Sequence, residues 1–118
     1  MWKTDVTYIQ KWLDSLDDES VVQVAAAIEL LAEVGPSLKR PVVGKIVGSK
    51  YPGMKELRPG SSGSSEMRIL FMFDPERQAI MLLAGDKQRQ WAKWYRKAIP
   101  EAERRYEEHL EKLKKQGD

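Results

Sequence analysis

Arg58 closes the segment Met54-Lys55-Glu56-Leu57-Arg58, Arg68 stands at the start of Met67-Arg68-Ile69-Leu70-Phe71-Met72-Phe73, and Lys87 follows Leu82-Leu83-Ala84-Gly85-Asp86. If the first two segments pair as an antiparallel hairpin, the two guanidinium groups come close together. That geometry costs Coulomb energy unless an anion or carboxylate lies between them. Glu56 can be the resident partner, and Lys87 joins the group only if the topology brings it there. With Trp91 or Tyr95 nearby, such a cluster can cradle an RNA phosphate while a ring stacks on a base. RNA cleavage can take its nucleophile from the substrate's own 2′-hydroxyl, so histidine is not compulsory. Cations then stabilise the phosphorane charge, and a tyrosine, a lysine of lowered pKa or Glu56 moves protons. The competing reading is structural: strand-end arginines pair with surface acids, and Trp91, Trp94 and Tyr95 at i, i+3, i+4 are core. Spacing by itself favours that reading for the aromatics and, by a small margin, for the arginines.

Other chemistries fit poorly. The one histidine, His109, sits among Glu107, Glu108 and Glu111 and reads as a helical surface residue. There is no cysteine, no histidine cluster and no carboxylate set at metal spacing, so neither a metal nor another cofactor is expected. Gly60-Ser61-Ser62-Gly63 lacks the lysine ending of a phosphate loop. A serine triad would need a histidine elsewhere.

These side chains must be positioned by a small sheet and its helices. Residues 2–8 alternate apolar and polar and read as a first strand. Ile9, Trp12, Leu13 and Leu16 switch to helical spacing. A second helix, capped by Asp17 or Asp18, runs to about Val34, where Gly35-Pro36 stops it. Its expected stripe is Val21, Val24, Ala25, Ile28, Leu31 and Ala32, with Ala25-Ala26-Ala27 thin enough for close approach. Residues 35–53 have three prolines and four glycines and read as an ordered basic loop, with Lys39, Arg40, Lys45 and Lys50 and no acid. The loop either tracks phosphates or is a soluble connector.

In the strand over residues 54–58, period two puts Lys55 and Leu57 on one face and Glu56 and Arg58 on the other. Leu57 is the better core residue, so Glu56 and Arg58 share the open face. Residues 59–65 form a flexible Gly/Ser hairpin tip. Met67–Phe73 and residues 78–84 pair about a turn at Asp74-Pro75-Glu76-Arg77. Being apolar on both sides, they are central strands, with the helical hairpin on one face and the C-terminal helix or a partner on the other. The C-terminal helix spans about residues 90–115, interrupted at Ile99-Pro100 before a last helix over 101–115.

At 118 residues, 42% apolar and 32% charged, the chain is sized for one soluble domain over residues 1–118. No apolar run approaches the length of a bilayer span and no signal-peptide pattern opens the sequence, and the lack of cysteine fits a cytosolic, cytoplasmic setting. The net charge is only +2, but acids crowd residues 14–19 and 101–111 while bases fill 38–98. That distribution suits a polyanion partner, while composition alone favours a solvated lysine-rich surface.

Lys55-Glu56-Leu57-Arg58 followed by Arg68-Ile69-Leu70-Phe71-Met72-Phe73-Asp74 resembles a pattern of HigB-type toxins in the RelE/ParE superfamily, in their phage-derived branch. Leu82-Leu83-Ala84-Gly85-Asp86-Lys87 looks like their third strand end. Trp94-Tyr95, Ile99-Pro100 and Tyr106-Glu107-Glu108-His109-Leu110 resemble their C-terminal helix. The resemblance covers roughly residues 50–110 in order and more loosely the first half. It implies an α+β, RelE-like fold: an N-terminal strand and helical hairpin packed on a small antiparallel sheet, then a C-terminal helix. It also implies the toxin of a type II toxin–antitoxin system, a metal-independent mRNA endoribonuclease working on the ribosome and inhibiting translation. The implied partners are mRNA, the ribosome and a helix-turn-helix antitoxin, with DNA met only through the antitoxin complex and no membrane. Carried over, Arg58 and Arg68 are the phosphate-facing arginines, Lys87 closes the third strand and Tyr95 is the helix aromatic, with Glu56 beside them. Lys45, Lys50, Lys55, Arg89 and Trp91 are candidate RNA contacts, although strand alternation turns Lys55 away from the site. The alternatives on the same residues are a non-catalytic nucleic-acid or ribosome-binding module and a protein-interaction domain.

Overall fold

The computed structural model describes residues 1–60, 65–88 and 90–117. In chain order these form β1 (Lys3–Asp5), a 3-10 turn (Thr7–Ile9), α1 (Gln10–Asp14) and α2 (Asp18–Val34). A second 3-10 turn, β2 (Val43–Lys45), β3 (Lys55–Leu57), β4 (Met67–Phe73), β5 (Gln78–Asp86) and α3 (Trp91–Gly117) follow. The result is the expected α+β class, with one five-stranded sheet in the order β1-β5-β4-β3-β2.

The sheet is mixed rather than purely antiparallel. β1 pairs parallel to β5, with Lys3 opposite Gln78, while the other three pairings are antiparallel. The expected strand over residues 2–8 is cut to three residues because the chain turns at Thr7 to cross onto the face that the helices cover. The loop read over residues 35–53 contains β2, a three-residue edge strand that exists only by pairing with β3. The Gly/Ser tip expected at 59–65 falls largely on residues 61–64, which lie outside the described residues.

Each face of the central strands carries its own core, as their two-sided apolar pattern predicts. Val43, Leu57, Ile69, Phe71 and Met81 meet Val24, Ala27 and Leu31 of α2 on one side. Leu70, Met72, Ile80 and Leu82 meet Ala98, Ala102 and Tyr106 of α3 on the other. Full burial of side chains this size stabilises by about 1.5–3 kcal/mol each. A bulge between Leu70 and Phe71 shifts the β4–β5 register, so Leu82 and Leu83 both pack toward the α3 side.

Asp17 caps α2, its carboxylate accepting from the Ser20 N–H at 2.7 Å. The stripe is rotated from the expected one: Val24, Ala27 and Leu31 are buried, whereas Val21 and Ala25 are exposed. Gly35, at φ +70, ends the helix and leaves room for Trp2, whose indole would be 2.4 Å from any Cβ there. By length and composition alone, the helical segment Asp18–Ser37 meets the requirement for a membrane span, contrary to the expectation from the sequence. In this fold its Val24–Ala27–Leu31 face is committed to the sheet.

Pro100 does not break the last helix, which runs unbroken from Trp91 to Gly117. Proline removes one N–H and strains the preceding turn; burial of Ala98, Ala102 and Tyr106 on the sheet holds the helix through it. That same face carries His109, which is buried rather than on the surface. Its Nε2 lies 2.8 Å from Asp74 Oδ2, and Tyr106 stacks beside its ring. Asp74 also accepts the N–H groups of Glu76 and Gln78, so the β4–β5 turn and α3 are tied at one carboxylate.

Candidate functional site

Glu56 is the centre of the site. It faces the α3 side of β3, as alternation requires, but that face is covered rather than open and Glu56 is only 3% exposed. Arg58 Nε donates to its Oε1 at 2.9 Å, and Arg68 Nε lies 3.5 Å from the same oxygen. Tyr95 O–H donates to Oε2 at 2.5 Å. The hairpin thus brings the two arginines together as expected, with a carboxylate between them. Arg58 follows β3, where its N–H donates to Val42 O at 2.7 Å. Its guanidinium lies over Gly44, where a Cβ would stand 2.3 Å from Nη2. Arg68 Nη1 donates to Met67 O at 2.8 Å, whereas its Nε is buried without a hydrogen-bond partner.

Topology also delivers Lys87. The Asp86 carboxylate accepts the N–H groups of Glu66 and Gln88, and Lys87 N–H donates to Glu66 O, which fixes the chain as it leaves β5. The Lys87 side chain is 3% exposed, with its ammonium 3.4 Å from the Trp91 ring centroid and 5.6 Å from that of Tyr95. Glu66 is its nearest carboxylate, at 3.8 Å. Burial lowers the Lys87 pKa, and the neighbouring Arg68 lowers it further, while Glu56 and Glu66 oppose the shift. Burial, followed by the bond to Glu56, pushes the Tyr95 phenol up, so it stays protonated and acts as a donor at neutral pH. Trp91 is 57% exposed, a surface ring rather than a core one, while Trp94 is partly buried against the core.

Lys45, Glu56, Arg58, Lys87, Trp91 and Tyr95 line one open cleft of about 290 Å³ at the β2–β3 edge. Two other candidates fall elsewhere. Lys50 is paired with Glu107 at 2.8 Å, its own N–H bonded to Glu103, so α3 neutralises it. Lys55 projects from the opposite face, 5.6 Å from the Phe73 ring, as alternation indicates. Arg89 lies outside the described residues. Sequence reasoning missed Glu66 and Gly44. Glu66 had only its place before β4 to mark it, and Gly44 had no signal at all, because its role depends on the unseen β2–β3 pairing. Among the described residues, no group of three or more histidines and carboxylates is gathered to hold a metal ion.

A mixed sheet with N-terminal helices on one face, a long C-terminal helix on the other and an arginine-bearing edge cleft is an architecture of the RelE-like class. The chain belongs to the phage-derived Gp49-like protein family (DUF891), whose profile matches residues 11–107. The resemblance to HigB-type proteins is borne out by two relatives in Mycobacterium tuberculosis. The protein named "Putative toxin HigB2" is 53% identical over 109 residues, covering 92% of this chain and 54% of that protein. The protein named "Putative toxin HigB3" is 48% identical over 102 residues, covering 86% of this chain and 87% of that protein. The chain therefore spans about half the length of the first and most of the second. No solved structure matches it.

Proposed function

We propose that this protein is the toxin of a type II toxin–antitoxin system and cleaves mRNA on the ribosome, without a metal ion, to inhibit translation. The observation that carries the proposal is the convergence of Arg58 and Arg68 on Glu56, which lines a cleft together with Arg58, Lys87 and Tyr95. Names given to the two mycobacterial relatives support the toxin part. An antitoxin of the helix-turn-helix kind is the proposed partner, and the cytoplasm, where translating ribosomes are, the proposed location.

In the mechanism, a phosphate displaces Glu56 from the arginines, whose N–H groups take its non-bridging oxygens. Glu56, released but still bonded to Tyr95, accepts the proton of the adjacent 2′-hydroxyl. The 2′-oxygen attacks phosphorus, forming the 2′-O–P bond as the P–O5′ bond breaks. Lys87, whose ammonium yields its proton more readily than an exposed lysine, protonates the departing 5′-oxygen. The products are a 2′,3′-cyclic phosphate and a 5′-hydroxyl end. Stabilisation of the phosphorane charge by Arg58 and Arg68 is the largest contribution, and the exposed Trp91 ring stacks on a neighbouring base.

The test adds purified protein to a translating extract and maps 5′ ends on the message. Wild type should create new ends on translated message, and Arg58→Gln should not. RNA binding by wild type with no new ends in translated or free message would instead favour the non-catalytic binding module.

A further inference from the structure

A second cleft, about 530 Å³, lies on the other face of the same sheet edge, lined by Leu38, Lys39, Arg40, Val43, Lys45 and Lys55. Lys45 and Lys55 stand directly opposite each other across the β2–β3 ladder. Like charges in that position destabilise a sheet. Among the described residues, none of these four cations makes an ion pair, and none of the cleft's lining is acidic. Lys45 also lines the cleft that holds Glu56, Arg58 and Lys87. Cations therefore continue from the Glu56 face around the edge strand β2 to the opposite face. Between them the floor is apolar, formed by Pro36, Leu38 and Val43.

We propose that this rear cleft carries the phosphodiester backbone of the same RNA strand whose scissile phosphate sits at Arg58 and Arg68, so that flanking nucleotides wrap the β2 edge. The inference rests on the nuclease reading of the front cleft and adds the course of the strand. Only a single strand suits it, because a path that turns around one sheet edge is far tighter than the bending scale of a duplex, about 50 nm for DNA. The cations neutralise successive phosphates and the apolar floor receives ribose or base faces.

The experiment uses the full chain with uncleavable 2′-O-methyl oligouridylates of about 4 and about 12 nucleotides, the short one filling only the front cleft, as scaled to single-strand site sizes. Affinities are measured across a salt series. Lys39→Gln/Arg40→Gln/Lys55→Gln should lower the 12-mer's log–log salt slope by about 2, at roughly 0.7 per phosphate contact on a single strand, and leave the 4-mer's unchanged. Lys39→Gln/Arg40→Gln, which leaves the strands untouched, should lower it by about 1.4 and covers the case of a triple variant that misfolds. An unchanged 12-mer slope in folded variants overturns the inference, and the nuclease reading survives if Arg58→Gln/Arg68→Gln still weakens the 4-mer. A 4-mer indifferent to that pair sinks the front-cleft reading and this inference with it. Loss confined to ribosome co-sedimentation would assign the phosphates to ribosomal RNA and overturn the single-strand path. Equal sensitivity in binding an oligoglutamate would overturn it in favour of an acidic peptide.

Discussion

Arg68→Met should separate activity from stability more sharply than any other single change around Glu56. In the resting protein Arg68 does little for the fold. Nη1 bonds the carbonyl of its own neighbour Met67, and Nε lies 3.5 Å from Glu56 and is a buried donor with no hydrogen bond. A buried donor left unmade costs about 1–3 kcal/mol, so removing it offsets the loss of a long ion pair. Glu56 keeps Arg58 at 2.9 Å and Tyr95 at 2.5 Å, so its charge stays compensated. Methionine retains most of the aliphatic packing of a side chain that is 17% exposed. Urea unfolding should therefore shift by no more than about 1 kcal/mol, the usual scale for changes that avoid cavities and orphaned charges. In the proposed cleavage the same donor should matter far more, against the phosphorane. Losing one preorganised donor to a developing oxyanion costs about 2.7–4 kcal/mol, or roughly 10²–10³ in rate. Cleavage is read from the rate at which new 5′ ends accumulate on translated message, normalised to folded protein. A folded variant that keeps more than a tenth of the wild-type rate would refute the role given to Arg68. So would a loss of cleavage that merely follows a drop in stability.

Gly44→Ala should move the Arg58 guanidinium off Glu56, since the new Cβ would lie 2.3 Å from Nη2; the arginine can swing away, so cleavage should fall at least about tenfold, or 1.4 kcal/mol, with little change in a urea melt. Asp74→Ala strips His109 and two turn N–H groups of their acceptor, so unfolding should be easier by about 2–4 kcal/mol, while cleavage per folded molecule stays near wild type. Lys87 should titrate below the ordinary lysine value of 10.5 because of burial and then Arg68, and NMR of labelled lysine should show that titration move upward in Arg68→Met. With its folded pKa depressed, Lys87 contributes stability that is present above 10.5 and lost as pH falls through the folded value. Lys87→Met should flatten that part of the pH–stability curve, and an unchanged curve would contradict the assignment.

How far the sequence alone reaches depends on whether a feature is local. β4 carries its own two-sided apolar pattern, and its observed bounds match those expected. Asp17 and Gly35 are local start and stop signals, and α2 begins and ends where they stand. The Arg58–Arg68 juxtaposition follows from a hairpin, so it too can be read without coordinates. β2 cannot, because Val43-Gly44-Lys45 is a strand only in the presence of β3. Pro100 looks like a break because the propensity penalty is local and the packing that outweighs it is not. His109 is readable in principle, since Ala102, Tyr106 and His109 lie at i, i+4 and i+7 on one face, but its charged neighbours in sequence mask that spacing. Lys87 is the clearest limit, since its types of neighbour were known but only the tertiary path from β5 puts it beside Trp91.

The parallel pairing of β1 with β5 has a consequence for synthesis. Lys3 must wait for Gln78, 75 positions later, before it has a strand to lie against. At about 5–20 residues per second, that is roughly 4–15 s of translation. Glu56, Arg58 and Arg68 emerge within that interval, and Tyr95 emerges after it. A growing chain thus carries Lys3–Asp5 unpaired until Gln78 has been made, and its cleft unfinished until Tyr95 has been made. Non-local pairing of this kind is slow to form, so the cleft is assembled late in synthesis.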